Sequence, residues 1–105
     1  MSYLLVLSTA SSRKEALKLA DILLEKRLAA CVNISGPVDS VYWWNSKREK
    51  AREVMMFIKT TRSSYPRLEK TLHQQHSYSV PEIIAIPIAK GSKPYLAWLH
   101  REARG

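Results

Sequence analysis

Cysteine occurs once in the 105 residues, as Cys31, which excludes an internal disulfide framework and any zinc site built on cysteine pairs. Glycine is almost as scarce: Gly36, Gly91 and Gly105 stand alone, too few and too far apart for a phosphate-cradling loop. No run of about 18 apolar residues occurs, so no membrane-spanning helix is expected. The opening Met1-Ser2-Tyr3-Leu4-Leu5-Val6-Leu7-Ser8 lacks the basic flank and length of a secretory leader, and the expected setting is cytoplasmic. His73, His76 and His100 miss metalloprotease spacing and no serine sits in Gly-x-Ser-x-Gly, so the chain is not expected to be an enzyme. Phe57 is the sole phenylalanine, and the segment Arg52 to Lys59 therefore lacks the paired aromatics with which an RNA-recognition motif stacks bases.

Acidic residues are also in short supply. Nine of them face seventeen lysines and arginines, for a net charge of +8. Such a surplus attracts phosphate, but the cations are scattered. Their one cluster, Lys47, Arg48, Lys50 and Arg52, is interleaved with Glu49 and Glu53, the composition of a solvated hairpin tip. No specific nucleic-acid partner is expected. What is present in quantity is apolar residues, 46% of the chain, enough for the core of one domain spanning residues 1–105.

Tyr3 to Thr9 is a short apolar strand, and Ser12 followed by Glu15 has the spacing of a capping box that opens a helix. Ala16, Leu19, Ala20 and Leu23 recur on one helical face, and cationic Lys26 and Arg27 suit the negative end of the helix dipole. Ala29 to Ile34 resumes as a strand, Gly36-Pro37 marks a break or bulge, and Val38 to Trp44 continues to a turn at Asn45-Ser46-Lys47. Glu53 to Thr61 returns, so residues 30 to 61 form a hairpin longer than a domain of this size needs. Ser63 or Ser64 caps the next helix, Pro66 suits its first turn, and Leu68 and Leu72 share its inner face. After a strand from Ile83 to Ile88, expected to be buried and, because of Pro87, to lie near a sheet edge, Ser92 and Pro94 open a last helix with Tyr95, Trp98 and Leu99 on one face. The order is that of an α+β, ferredoxin-like βαββαβ sandwich with an extended hairpin and an added C-terminal helix.

Between the second helix and the fourth strand, His76-Ser77-Tyr78-Ser79-Val80-Pro81-Glu82 gathers an imidazole, a phenol and a carboxylate at a corner made rigid by Pro81. Two readings are open. In one, His76 and Glu82 are metal donors; in the other, the corner is hydrogen-bonded scaffolding at a subunit boundary, with Glu82 paired to Lys59 or Arg27. Cys31 lies among Ala29, Ala30 and Val32, where a free thiol packs as a small hydrophobe more often than it ligates. Met55 and Met56 are adjacent on a strand and face opposite sides, so they do not form a joint thioether site. Tyr42, Trp43 and Trp44 cluster at the hairpin end, where a second subunit is expected to cover them.

Lys26-Arg27-Leu28-Ala29-Ala30-Cys31-Val32-Asn33, Val41-Tyr42-Trp43-Trp44, Met56-Phe57-Ile58-Lys59-Thr60 and His76-Ser77-Tyr78-Ser79-Val80-Pro81-Glu82-Ile83-Ile84-Ala85 together resemble the CutA family. Tyr95-Leu96-Ala97-Trp98 extends the match into the last helix. The resemblance implies a ferredoxin-like homotrimer connected with tolerance of copper and other divalent cations. At His76 and Glu82 the resemblance coincides with the clustered donors, which are the candidate metal site; Tyr78, Lys59, Arg27 and Cys31 are the candidate ligand pocket. A cysteine of some relatives corresponds to Ser8, and a histidine to Gln75, so good copper ligands are missing and Cu(II) or another divalent ion is expected to bind weakly. A trimer of the PII-like kind, sensing a small anion between subunits, is the alternative, and the basic surplus would suit it.

Overall fold

The computed structural model describes residues 2–105. It runs β1 (Tyr3–Ala10), α1 (Arg13–Glu25), β2 (Cys31–Trp44), β3 (Lys47–Thr61), α2 (Tyr65–Gln75), β4 (Ile84–Pro87) and α3 (Lys93–Glu102). The strands form one antiparallel sheet in the order β2-β3-β1-β4, the expected ferredoxin-like arrangement with an added helix.

Strand alternation divides the sheet into two unlike faces. Leu4 and Val6 of β1 and Val54, Met56 and Ile58 of β3 point to the inner face, where they meet Ala16, Leu19, Ala20 and Leu23 of α1 and Leu68 and Leu72 of α2. Leu19, Leu23, Leu68, Leu72, Met56 and Ile58 are fully buried, each worth about 1.5–3 kcal/mol of apolar transfer. On the outer face α3 packs against the end of β3, where Thr61 donates to the Ala103 carbonyl, and Leu5, Leu7 and Phe57 are half-buried. Leu7 of β1 stands opposite Phe57 on one side and Ile84 on the other, and Leu5 stands opposite Lys59 and Ile86. β4 is an edge strand, as Pro87 leads one to expect, but Ile84 and Ile86 are 50% and 45% exposed, so it is not the buried strand its apolar run suggests.

The long hairpin is one continuous ribbon. Gly36-Pro37 does not break β2; it shifts the register between Ile34 and Pro37 and pairing resumes as far as Trp44 opposite Lys47. Asn45 and Ser46 have φ of 50° and 62°, the left-handed pair that a tight two-residue hairpin turn requires. Because β1 pairs only as far as Val54, the ribbon beyond it has no third strand and projects from the body, giving extents of 44 × 25 × 23 Å.

Ser12 caps α1 by accepting the Glu15 amide at 3.1 Å. The helix ends at Glu25, so Lys26 and Arg27 lie just past its last turn. Arg27 takes φ 58°, and the amides of Arg27 and Leu28 return to the carbonyls of Leu24 and Leu23 in a Schellman motif. Ser64 precedes α2 without a side-chain cap; its hydroxyl instead reaches the carbonyls of Ala103 and Gly105. On α3 only Leu99 is buried, and Tyr95 and Trp98 are left partly in solvent with their rings 5.4 Å apart. Among the described residues no helix is long and apolar enough to cross a membrane.

Candidate functional site

The corner after α2 is fixed by three other elements. His76 ends α2 with its amide on the Leu72 carbonyl, then turns extended, and its ring is buried. Nε2 lies 2.7 Å from the Thr9 carbonyl and Nδ1 accepts the Tyr78 amide at 3.0 Å. A carbonyl only accepts and an amide only donates, so Nε2 carries the hydrogen and the Nδ1 lone pair is engaged. The Tyr78 ring packs against the imidazole with centroids 4.7 Å apart and the planes tilted by 42°.

From α1, Glu15 accepts the Ser77 amide at 2.8 Å and the Ser11 amide and hydroxyl at 3.2 and 2.9 Å. Burial alone would raise the Glu15 pKa, but the hydrogen bonds from Ser77 and Ser11 outweigh it and hold the carboxyl at about 2. From β3, Glu53 accepts the Tyr78 hydroxyl at 2.7 Å. Burial and the Glu53 carboxylate push the Tyr78 phenol up, which keeps it a donor at any physiological pH.

The pinned corner forms one wall of an open cleft of about 560 Å³ on the outer side of the sheet. Ser79, Val80 and Glu82 come from the corner, Ser40, Val41, Tyr42 and Trp44 from the ribbon, with Thr9, Glu53 and Tyr78 completing the lining. Neither lysine nor arginine lines it, although the chain carries a net charge of +8.

The residues singled out in the sequence do not all converge here. Tyr78, Glu82, Tyr42 and Trp44 line the cleft; His76 stands behind its wall, with both ring nitrogens committed to backbone groups. Glu82 pairs with neither Lys59 nor Arg27. Lys59 donates to Asn33 Oδ1 and lies 4.0 Å from Cys31 Sγ, and Arg27 forms an ion pair with Glu102 of α3 at 2.6 Å. Cys31 opens β2 opposite Lys59 on the outer face and is half-buried, not a core residue. Trp43, 70% exposed, points away from Tyr42 and Trp44 because neighbours on a strand alternate.

Glu53 and Glu15 were not singled out as site residues. Glu53 sat in a charged run that reads as solvent-facing, and its burial comes from pairing with Val38 and from Tyr78, which is 25 residues away. In the sequence Glu15 reads only as half of a capping box.

The family model described as "CutA1 divalent ion tolerance protein" matches residues 4–102. The chain belongs to the CutA1 family. It is 43% identical to the divalent-cation tolerance protein CutA of Thermus thermophilus over 95% of this chain and 96% of that one. A chloroplastic CutA of Arabidopsis thaliana is 40% identical over 96% of this chain, which spans only 56% of that longer protein. The solved structure of a periplasmic CutA from Archaeoglobus fulgidus superposes with a TM-score of 0.93 at 40% identity, covering 97% of this chain and 99% of that one. CutA relatives are thus named for more than one compartment.

A CutA1 chain invites a test of its metal donors. Among the described residues no group of three or more histidine, cysteine, aspartate or glutamate side chains is placed to hold an ion. Ser8, at the position of a cysteine in some relatives, is fully buried on the inner face opposite Met56. One chain therefore does not fit a closed, tightly held metal centre, which needs about four ligands.

Proposed function

We propose that this CutA1 chain is a non-catalytic divalent-cation tolerance protein that acts in the cytoplasm as a homotrimer and takes Cu(II) or another divalent cation weakly at its acidic cleft. The observation that carries the reading is the charge of the cleft: Glu53 and Glu82 line it and no lysine or arginine does, in a chain of net charge +8. Carboxylates and water suit a loosely held divalent ion. In this reading Glu82 is the exposed donor, and His76 sets the wall. The same lining disfavours a small anion, and with it the PII-like alternative.

The trimer is supported by two apolar surfaces that the single chain leaves open. Half-buried Leu5, Leu7 and Phe57 and exposed Ile84 and Ile86 share one sheet face, and the ribbon carries Tyr42, Trp43 and Trp44 beyond the reach of any third strand. A two-stranded ribbon is marginal in water by itself, and aromatic surface of this kind is usually covered by a partner.

Calorimetric titration of tag-free protein with Cu(II) and Zn(II), repeated on Glu82→Gln, tests the site. Weak binding to the wild type that is lost in the variant is expected. Equal heats and affinities for both proteins would remove the cleft as the metal site.

A further inference from the structure

The neutral ring of His76 has one N–H and one nitrogen lone pair, and both are already in use. Nε2–H donates to the Thr9 carbonyl at 2.7 Å, and the Nδ1 lone pair accepts the Tyr78 amide at 3.0 Å. A proton from solvent can therefore go only to Nδ1, where two N–H groups would then confront each other across 3.0 Å. The bond to Tyr78 must break. The His76 side chain is closed off from solvent, so the new hydrogen needs an acceptor within the protein.

One acceptor stands within reach. Glu15 Oε2 lies 3.8 Å from Nδ1, too far for a hydrogen bond to the neutral ring but within ion-pair distance of a charged one. Hydrogen bonds from Ser77 and Ser11 hold the Glu15 carboxyl at about 2 against its burial, so it is anionic wherever imidazole titrates. It pairs with no lysine or arginine among the described residues. Around the rest of the ring, β1 presents the Thr9 carbonyl and the corner presents the Tyr78 phenol. Glu53 of β3 stands one step further away, on the Tyr78 hydroxyl, and His73, three residues back on α2, is exposed.

We propose that His76 is a proton-operated latch: the neutral ring holds the Tyr78 amide on Nδ1, and the protonated ring turns Nδ1–H to Glu15 and releases Tyr78. The two states exchange one hydrogen bond for one ion pair, which keeps the change local and reversible. Tyr78 carries it onward, because its hydroxyl is the donor that Glu53 accepts at 2.7 Å. Acidification thus loosens the corner and the hold on Glu53 together. Thr9, Glu15 and Tyr78 belong to the same chain as the ring and no ring of the ribbon takes part, so the latch works with the trimer assembled. It stands whether or not the cleft takes a metal ion.

Nitrogen-15 NMR of the assembled, metal-free protein tests the latch between about pH 8 and pH 5, the range in which imidazole titrates. At the upper end His76 is expected as the Nε2–H tautomer, with the Tyr78 amide protected from hydrogen exchange. On acidification Nδ1 should gain its hydrogen, and the Tyr78 protection factor, normalised to the intrinsic exchange rate, should fall at least about tenfold in step. Glu15→Gln removes the receiving charge and should move both changes to lower pH by roughly one unit. His76→Gln keeps a donor for the Thr9 carbonyl and cannot titrate, so its Tyr78 protection should not vary over the range. The wild-type spectra decide by themselves if either variant fails to fold. A ring that stays neutral to the lower end of the range, an Nδ1–H tautomer at the upper end, or Tyr78 protection that holds constant while the ring titrates overturns the latch. A folded Glu15→Gln variant in which His76 titrates as in the wild type overturns Glu15 as the receiving group, and with it the latch.

Discussion

The Nε2–H of His76 donates to the Thr9 carbonyl at 2.7 Å, joining the end of α2 to the end of β1 across 67 residues of chain. Both groups are buried, and the other ring nitrogen is spent on Tyr78. The imidazole therefore acts first as a structural tie.

His76→Ala should cost about 2–3 kcal/mol of stability in urea unfolding, because it strands a buried carbonyl, frees the Tyr78 amide and removes the ring packed against Tyr78. The affinity of the cleft for divalent cations should change less than in Glu82→Gln. A variant with unaltered stability and abolished metal binding would make His76 a ligand after all.

Glu15 makes the corner sensitive to acid. Its folded pKa of about 2 lies below the ordinary 4.5, so its contribution is fully present above about pH 4.5 and is lost as pH falls through 2. The loss amounts to at most about 3 kcal/mol. Glu15→Gln should flatten the decline of stability across that window in denaturant titrations at fixed pH. A wild-type and variant pair that fall in parallel from pH 4.5 to 2 would assign the acid response to other carboxylates.

Ser8 carries a buried hydroxyl with no hydrogen-bond partner among the described residues. Ser8→Ala should raise the unfolding free energy by about 1 kcal/mol, since an unsatisfied buried hydroxyl costs more than the small volume it fills. Thermal and urea midpoints check this, and a loss of 1 kcal/mol or more would reveal a bound water completing the hydroxyl.

Replacing both Trp43 and Trp44 with Ser should shift trimer assembly to higher protein concentration by roughly an order of magnitude or more, with little change in circular dichroism. The two rings face opposite sides of the ribbon, so the single variants should differ: Trp44→Ser should also impair the cleft, while Trp43→Ser should spare it. Light scattering that finds only monomer for the wild type at micromolar concentration would refute the assembly.

The order of elements was legible in the sequence because local periodicity and punctuation encode it. The spacing of Ala16, Leu19, Ala20 and Leu23 defines one helical face wherever the helix is placed, and Ser12 starts that helix by bonding to its own third residue. Pro81 announced a rigid corner, and Asn45-Ser46 a turn. Strand pairing and burial at the corner depended on residues far apart in the chain. Gly36-Pro37 reads as a break or a bulge, and β3, which supplies partners on both sides of it, decides for the bulge. Ile84 to Pro87 reads as buried because it is apolar, yet β4 pairs with β1 alone at the sheet edge and all four of its residues are exposed in the single chain. His76 reads as a ligand because imidazole can ligate; Thr9 and Tyr78, brought together by the antiparallel sheet and the end of α2, occupy both its nitrogens. Glu53 reads as a surface charge among charges, and becomes the buried carboxylate of the cleft only once β3 lies beneath Tyr78, a proximity that sequence spacing does not encode.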